Sequence, residues 1–545
     1  MTRHLLRAAL LALLLPLPAG AAPASVTIRD GVLDGAPRDG MMTFLGVPYA
    51  APPTGALRWM PPAPPAKWSK PRAARSFGKS CAQITTLGPF AGPANDNEDC
   101  LYLNVFAPQG AATKLPVLFW IHGGGHVDGR SDDYDPVKLV RAGLVVVTIN
   151  YRLGLFGYLA HPALDGEGHL FGNYGSLDQQ AALRWVRDNI AAFGGDPGNV
   201  TIGGQSAGGS AASVQIVSPL AKGLFHRAIF QSGGTNSTMT PLAFAQARGI
   251  KFAAAAGCDK GKPEAIAACL RALPAQKILQ LSGTASANGP YINGLMVDGR
   301  IVPGKPIDLY RSGRFNPVPL MNGMVADEGN FNIGITEYFS GPPRKAVTAG
   351  DFKAYAAKTY GGNAGPGGSP PAYPKGTVDA VLAHYPVKNY SSAQRAQDAL
   401  MTDPLLCRAR HVSRILAPRV PVYNYRFDEI TAPTYFPVMP GYEPRAYHTA
   451  DLQFLFAGYH GGPDGIPHPL SKAQQKLSDE MVRAWASFAR TGNPNGAGDA
   501  PWPRFTGAEG KALYLSQNIP ASSTFTDAAF VARHQCGFWD SILVY

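Results

Sequence analysis

Short apolar runs alternate with an amphipathic segment in the first half of this chain. Residues 115–121, 144–150 and 200–203 are apolar runs of strand length, which predicts buried β-strands. Residues 178–193 instead carry apolar side chains at helical spacing, namely Leu183, Val186, Ile190 and Phe193. This spacing predicts an amphipathic helix that starts near residue 178, between the second and third strands.

The same alternation continues toward the C-terminus. Residues 228–231, 318–323 and 420–427 are predicted as further strands, and a late helix carries an apolar stripe on one face. That stripe consists of Leu477, Met481, Trp485 and Phe488. Strands that alternate with helices predict an α/β fold, with a mostly parallel sheet covered by helices on both faces.

The pentapeptide Gly-Gln-Ser-Ala-Gly at 204–208 lies where the predicted strand 200–203 meets a run of small residues. A G-x-S-x-G motif at a strand-to-helix turn exposes the serine hydroxyl above the sheet. A histidine and a substrate carbonyl can both reach the hydroxyl there. Ser206 is therefore the predicted nucleophile.

A histidine followed by three glycines, His122 to Gly125, comes directly after the predicted strand 115–121. Consecutive glycines let several backbone N–H groups point at one place, as an oxyanion hole requires. An isolated glycine triplet is more often a flexible turn, but the serine motif downstream favours the catalytic interpretation. The predicted oxyanion donors are the N–H groups of Gly124, Gly125 and Ala207.

Four segments of the chain resemble signatures of the type-B carboxylesterase family, which includes the cholinesterases. They are residues 44–50, 98–105, 193–208 and 536–539. The resemblance covers nearly the whole chain after residue 21. It implies an α/β-hydrolase fold in one large domain over residues 22–545. It also implies hydrolysis of a small-molecule carboxylic ester through an acyl-enzyme, without a metal or cofactor.

The rest of a catalytic triad is expected downstream of the serine, in the order acid and then histidine. By resemblance, the acid of the family falls on Glu328 and not on the adjacent Asp327. The base falls on His448, although Thr449 stands where the family usually has glycine. His460 is the second candidate, but it lies closer to the late helix than the family pattern expects.

Three further residues are assigned by the same resemblance to positions behind the triad. Ser232 is expected to support the acid, and Asp451 to lie behind the histidine. Gln205 precedes the serine where the family usually has glutamate, so a carboxylate is missing from the neighbourhood of His448. His126 stands where the family commonly has phenylalanine. Either it contacts a polar substrate group or it is a satisfied histidine in the wall of the site.

The segment between Cys81 and Cys100 bears on the substrate. Cholinesterases stack a quaternary ammonium group on a tryptophan in this loop, and the loop of this chain contains none. Together with Gln205, this predicts a neutral or aromatic ester and disfavours a choline ester. A lipase acting on long-chain acylglycerols and a non-catalytic binding protein of the same fold are the alternatives. Fold alone does not decide among them.

The chain contains six cysteines, which allow 15 pairings. The resemblance implies the pairs Cys81–Cys100, Cys258–Cys269 and Cys407–Cys536. Disulfides agree with export, which the N-terminus also predicts. A basic start, an apolar run over 5–17 and small residues before Ala21 form a secretory signal peptide over residues 1–21.

Cleavage is expected after Ala21, with Ala24 as the alternative site. No later apolar run reaches the roughly 18 residues that a membrane span needs. The mature enzyme is therefore expected to be secreted or periplasmic, and the composition rich in alanine and arginine is typical of a bacterial source. The sequence contains no signal for the oligomeric state.

The net charge of +12 raises the question of nucleic acid as a partner. No cluster of lysine and arginine stands out, so a diffusely basic enzyme without a nucleic-acid partner is predicted. No cysteine and histidine spacing typical of a metal site is present either. The Gly/Pro-rich segment 362–374 is predicted as a surface loop, with a lid over the active site as the alternative.

Overall fold

The structure is a computed structural model that describes residues 25–85, 87, 92–110, 114–235, 239–283, 294–362, 373, 374, 376–459, 461, 465, 467–496 and 499–543. The predicted signal peptide, His460 and nearly all of segment 362–374 lie outside these residues. What the sequence predicts for them therefore stays a prediction.

The strands of the described residues follow the apolar runs of the sequence. They are β1 Ser25–Ile28, β2 Gly31–Asp34, β3 Ala36–Arg38, β4 Met41–Pro48, β5 Arg72–Ala73, β6 Tyr102–Pro108, β7 Leu115–Ile121, β8 Val145–Ile149, β9 Gly195–Gln205, β10 Arg227–Gln231, β11 Thr240–Pro241, β12 Met296–Val297, β13 Leu320–Val325, β14 Val422–Phe427, β15 Leu513–Gln517 and β16 Ser523–Thr526.

The helices lie between these strands and near the C-terminus. They are α1 Val137–Arg141, α2 Gly154–Tyr158, α3 Pro162–Asp165, α4 Tyr174–Asn189, α5 Ala207–Val217, α6 Leu242–Ala256, α7 Pro263–Ala272, α8 Ala275–Ser282, α9 Pro306–Ser312, α10 Gly329–Phe339, α11 Ala349–Tyr360, α12 Thr377–His384, α13 Ala393–Leu416, α14 Leu452–Leu455, α15 Lys472–Thr491, α16 Asp527–Arg533 and α17 Cys536–Ile542. No helix in the described part of the chain is both long and apolar enough to cross a membrane.

Eleven of the described strands form one sheet, in the order β16-β15-β14-β13-β10-β9-β7-β8-β6-β4-β3. The seven strands from β15 to β8 run parallel to one another. The strand β16 at one edge and the strands β6, β4 and β3 at the other run antiparallel to their neighbours. The predicted mostly parallel sheet is confirmed.

Helices cover both faces of this sheet. Along β7, Leu118 and Trp120 belong to one buried cluster, together with Trp485 of α15. Phe119 lies between them in sequence but belongs to a second cluster, together with Val214 of α5. Because alternate side chains of a strand point to opposite faces, the two clusters are the two sides of the sheet. This is the α/β-hydrolase arrangement that the resemblance implies.

The predicted helix 178–193 begins four residues earlier, at Tyr174, and its last turn is a 3₁₀ turn over Ile190–Phe193. The predicted start at residue 178 is wrong because Asp178 is not an exposed N-terminal carboxylate. It is fully buried and accepts hydrogen bonds from Nε and Nη2 of Arg152 at 2.8 and 2.7 Å. A buried ion pair of this kind leaves no periodic signal in the sequence.

Three disulfide bonds join the six cysteines, in the pairs that the resemblance implies. Two of them close short segments, Cys81 to Cys100 and Cys258 to Cys269. The third joins Cys407 in α13 to Cys536 at the start of α17, across 129 positions of the sequence. The C-terminal helix is therefore tied covalently to a helix that packs on the parallel strands.

Candidate active site

Ser206 lies at the turn between β9 and α5, at the carboxyl end of the parallel strands. Its backbone has φ +60° and ψ −123°, a conformation that non-glycine residues rarely adopt. The turn is held on both sides, because the N–H of Ser206 donates to the carbonyl of Gln231 at 2.8 Å and its carbonyl accepts from Ser210 at 3.0 Å. This is the sharp turn that a nucleophile motif requires.

The glycines around Ser206 are needed for close packing. A Cβ on Gly208 or on Gly204 would meet the carbonyl oxygen of Ile121, the last residue of β7, far inside van der Waals contact. The strand that leads into the glycine triplet therefore presses directly against the serine turn. This contact fixes the spacing between the two parts of the site.

Gly208→Ala tests this packing and is expected to lower both stability and activity. The methyl group must push β7 and the turn apart, which costs about 1–3 kcal/mol of unfolding free energy. A displacement near 1 Å costs on the order of 100-fold in rate. Thermal melting and kcat/KM on p-nitrophenyl acetate are the measurements.

Gly203→Ala is the matched control for this prediction. Gly203 is buried one position before the motif, but its nearest neighbour would lie 3.4 Å from the new Cβ, which is ordinary contact. We expect little change in either quantity for this variant. If Gly208→Ala behaved like Gly203→Ala, the tight packing of the turn would not matter for function.

His448 lies in the long segment after β14 and contacts a buried carboxylate. Its Nδ1 forms a hydrogen bond with Oε2 of Glu328, whose side chain is fully buried. The other carboxylate oxygen of Glu328 accepts the N–H of Val325 at 3.0 Å. Burial is the largest single influence and lowers the pKa of His448. The charge of Glu328, its hydrogen bond and the charge of Asp451 together outweigh burial, so the pKa lies above its usual value.

Asp327, the neighbour of Glu328, is engaged elsewhere. Its carboxylate pairs with Arg395 at 2.8 Å and with Arg445 at 3.2 Å. These partners hold the pKa of Asp327 below its ordinary value, although burial works in the opposite direction. Of the two adjacent acids, the structure thus brings Glu328 to the histidine.

The glycine triplet adopts a turn beside Ser206. Gly124 has φ +97° and Gly125 has φ +61°, and the carbonyl of Gly124 accepts the N–H groups of Val127 and Asp128, each at 3.0 Å. A Cβ on Gly123 would lie 3.2 Å from the Cβ of Ser206. Gly123, the first glycine of the triplet, therefore packs closely against Ser206.

Ala207 is the first residue of α5, and its N–H has no partner within the helix. Ala207 directly follows Ser206 in the sequence. Helix N-termini of this kind attract negative charge. The N–H groups predicted to bind an oxyanion thus come from two separate elements that meet at the serine.

Ser206, Gln205, His448 and the glycine triplet line one cavity of about 200 Å³. Its other lining residues are Leu87, Asp128, Gly129, Asp133, Tyr134, Phe331, Asn332, Tyr435, Thr449 and Tyr459. No sequence motif marks the acids and tyrosines among these lining residues, because they come from several loops. A substrate carbonyl in this cavity has access to the serine, the histidine and the glycine loop.

Two of the three residues predicted to lie behind the triad, Gln205 and Asp451, form side-chain hydrogen bonds near it. Gln205 donates from Nε2 to the carbonyl oxygen of His448 at 2.7 Å. Asp451 is fully buried and accepts from Nε2 of Gln231 at 2.9 Å. Burial, followed by the charge of Glu328, raises the pKa of Asp451 to about 7.

The structure does not show the contact that the resemblance implies between Ser232 and the acid Glu328. The hydroxyl of Ser232 is buried and makes no hydrogen bond to any group in the described part of the chain. Its backbone N–H instead donates to the carbonyl of Gly323 at 2.8 Å, with φ +49°. Ser232 therefore continues the pairing of β10 with β13, and Glu328 is held by the N–H of Val325.

His126 is a buried histidine behind the cavity. It is not among the described residues that line the cavity, and its ring lies against Tyr151 and Tyr158 at centroid distances of 6.4 and 5.3 Å. Burial, with a smaller contribution from His122, lowers its pKa to about 3. The geometry disfavours a contact between His126 and a polar substrate group, and burial keeps the ring neutral at ordinary pH.

No group of three or more His, Cys, Asp or Glu side chains in the described residues is arranged to hold a metal ion.

Comparisons with known proteins agree with this geometry. The family model described as "Carboxylesterase family" matches residues 22–539. The fumonisin B1 esterase of Sphingopyxis macrogoltabida is 34% identical over 88% of this chain and 84% of its own, and the cocaine esterase of Homo sapiens is 35% identical over 92% and 88%. A solved structure of a PNB esterase superimposes with a TM-score of 0.75 at 28% identity, covering 94% of this chain and 99% of its own.

Proposed function

We propose that this chain, which belongs to the carboxylesterase family and hydrolyses carboxylic esters, does so with a triad of Ser206, His448 and Glu328. The observation that carries the proposal is the meeting of three features at one cavity. Ser206 stands on a strained turn, His448 is held by a buried carboxylate, and the glycine triplet lies beside both.

In the first half of the reaction, Oγ of Ser206 attacks the ester carbonyl carbon while Nε2 of His448 takes the hydroxyl proton. The tetrahedral intermediate collapses when His448 gives this proton to the leaving alkoxide. The alcohol departs and the acyl group stays on Ser206. In the second half, His448 takes a proton from water while the water oxygen attacks the acyl carbon. The second tetrahedral intermediate collapses when His448 returns this proton to Oγ of Ser206, and the carboxylic acid leaves.

Glu328 orients the imidazole and stabilises the imidazolium that forms in each half-reaction. This interaction with Glu328 contributes to the raised pKa of His448. The N–H groups of Gly124, Gly125 and Ala207 bind the oxyanion of the tetrahedral intermediate. Removal of one such donor typically costs about 3–4 kcal/mol of barrier.

Gln205→Glu is expected to move the acid limb of the profile of kcat/KM against pH to higher pH. A carboxylate at this position favours the imidazolium and raises the pKa of His448. Because His448 must be neutral to act as a base, activity is then lost at a higher pH on acidification. The measurement is kcat/KM on a non-titrating ester between about pH 5 and pH 9.

Gln205→Met is the control, since it also removes the hydrogen bond from Nε2 to the carbonyl of His448 but adds no charge. Its acid limb should stay where it is in the unmodified enzyme. An equal shift in both variants would assign the effect to the lost hydrogen bond, and no shift in Gln205→Glu would refute the electrostatic argument.

Hydrolysis of p-nitrophenyl acetate, butyrate and octanoate by the mature protein tests the proposal, and the chain-length profile measures the acyl side of the cavity. The same enzyme on soluble esters and on emulsified triacylglycerol separates an esterase from a lipase. A volume of about 200 Å³ favours short acyl groups. Folded protein that hydrolyses none of these esters would favour the binding-protein alternative.

We propose as well that the enzyme is exported as one domain over residues 22–545, after cleavage behind Ala21. The signal-like N-terminus and the three disulfides support this. N-terminal sequencing of protein expressed in a Gram-negative host is expected to start at Ala22. Protein that keeps Met1 and free thiols would contradict export.

A further inference from the structure

A second cavity, of about 320 Å³, lies beside α4 and shares no lining residue with the candidate active site. Three segments of the chain surround it. They are the face of α4 over residues 181–189, the two-residue turn between β1 and β2, and the proline-containing segment 62–67. We call this space the basic cavity. Its volume lies within the range of roughly 300–1,000 Å³ that is typical of small-molecule sites.

Hydrogen bonds join the three segments around the basic cavity. The N–H of Arg29 donates to Oδ1 of Asn189 at 3.0 Å, which ties the turn between β1 and β2 to α4. The carbonyl of Asp30 accepts the N–H of Trp68 at 2.9 Å, which ties the same turn to the end of the proline-containing segment. Prolines restrict the backbone of that segment further. A ligand therefore meets a cavity whose walls are already held in place.

The lining of the basic cavity carries an excess of positive charge. Its charged residues are four cations and two acids, namely Arg29, Lys67, Arg184, Arg187, Asp30 and Asp188. Asp188 pairs with Arg29 at 3.4 Å and with Arg187 at 2.8 Å, so one carboxylate serves two guanidinium groups. Asp30 is the only other acid in the described lining. Four positive charges against two negative charges leave an excess of two.

Arg184 is the half-buried cation of this lining. Its guanidinium makes no hydrogen bond or ion pair with any group in the described part of the chain, whereas Arg29 and Arg187 both have Asp188. Burial, followed by the charge of Arg187, lowers the pKa of Arg184, and Asp188 opposes this only in part. An anion in the basic cavity would supply both the missing hydrogen bonds and the missing counter-charge.

We propose that the basic cavity binds a small organic phosphate monoester, with the phosphate at Arg184 and the organic part against Trp185 and the prolines. The excess of two positive charges matches a dianion, and the planar guanidinium fork matches phosphate oxygens. Trp185 is 5% exposed and lines the cavity together with Pro62, Pro64 and Pro65, which offer an apolar wall. The sequence shows no basic cluster here because the cations come from three separate segments. The site does not depend on the proposed esterase function.

Calorimetric titration of the mature protein with phenyl phosphate, benzyl alcohol and inorganic phosphate tests this recognition at pH 8. A phosphate monoester is a dianion there, since its second pKa is about 6. We expect phenyl phosphate to bind at least about tenfold more tightly than the neutral alcohol, and less tightly as salt is added. Absent binding of phenyl phosphate, or equal affinity for the alcohol, would overturn the proposal. Equal affinity for inorganic phosphate would overturn the role of the organic part.

Arg184→Gln and Lys67→Met locate the binding, and Lys70→Met is the matched control. Lys70 is exposed like Lys67 but does not line the basic cavity. We expect Arg184→Gln to weaken phenyl phosphate binding at least about tenfold, the scale of lost hydrogen bonds to a charged group. Lys67→Met should have a smaller effect and Lys70→Met none.

The melting temperature of Arg184→Gln is expected to stay close to that of the unmodified protein, because its guanidinium has no partner in the described residues to lose. Unchanged phenyl phosphate affinity in folded Arg184→Gln would place the anion elsewhere and overturn the proposal. Equal effects of Lys67→Met and Lys70→Met would reduce the recognition to general basic charge and overturn the proposal as well.

Discussion

Ser206→Ala is expected to lower kcat on p-nitrophenyl acetate on the order of 10⁶-fold, with the fold intact. The loss is this large because the nucleophile, the base and the acid act as a unit, so removal of one member removes the benefit of all. The turn itself should survive, since it is held by backbone hydrogen bonds to Gln231 and Ser210. The measurements are steady-state kinetics and the melting temperature of the purified variant.

The Ser206→Ala variant is expected to keep some residual activity. The oxyanion donors and the binding of substrate stay in place, so a rate above that of water alone is expected to remain. Activity above about one hundredth of the unmodified rate, in protein free of contaminating esterase, would show that Ser206 is not the nucleophile.

Glu328→Gln is expected to lower kcat on the order of 10⁴-fold. A neutral amide does not stabilise the imidazolium and does not fix the tautomer with the proton on Nδ1 of His448. The pKa of His448 should fall as well, since Glu328 is what raises it against the effect of burial. What activity remains should therefore persist to lower pH, which the profile of kcat/KM against pH measures.

Asp327→Asn is the control, because it changes the adjacent carboxylate. Asp327 is buried and pairs with Arg395 and Arg445, so its loss should cost about 3–5 kcal/mol of stability. The folded fraction should keep most of its activity below the melting transition. A large loss of kcat in Asp327→Asn with full activity in Glu328→Gln would reverse the assignment of the acid.

Local sequence patterns predict the parallel strands and the nucleophile turn well. The apolar run of β7 is found to the residue, because all its side chains but the first are buried on one face or the other. The serine turn is predictable because its glycines are required by contacts with Ile121. In both cases the residue types that the structure requires stand together in a short segment of the sequence.

The cavity wall is much less predictable. Tyr435 and Tyr459 lie in the long connection between β14 and α15, where no periodic pattern marks them, and they meet Tyr134 only in the folded chain. The resemblance to a family supplies the proposed triad positions, but Ser232 makes no hydrogen bond to the proposed acid in the described residues. There the main chain, through the N–H of Val325, supplies the hydrogen bond expected from a side chain.

Labelling with diisopropyl fluorophosphate tests the central claim most directly. An activated serine displaces fluoride and forms a stable phosphoryl adduct, because the oxyanion site and the base act on the reagent as on an ester. Peptide mass spectrometry is expected to find one adduct, on Ser206, with loss of esterase activity in step and no adduct in Glu328→Gln on the same timescale. An adduct on another residue would contradict the triad. Protein that forms no adduct and keeps full activity after treatment with the reagent would contradict it as well.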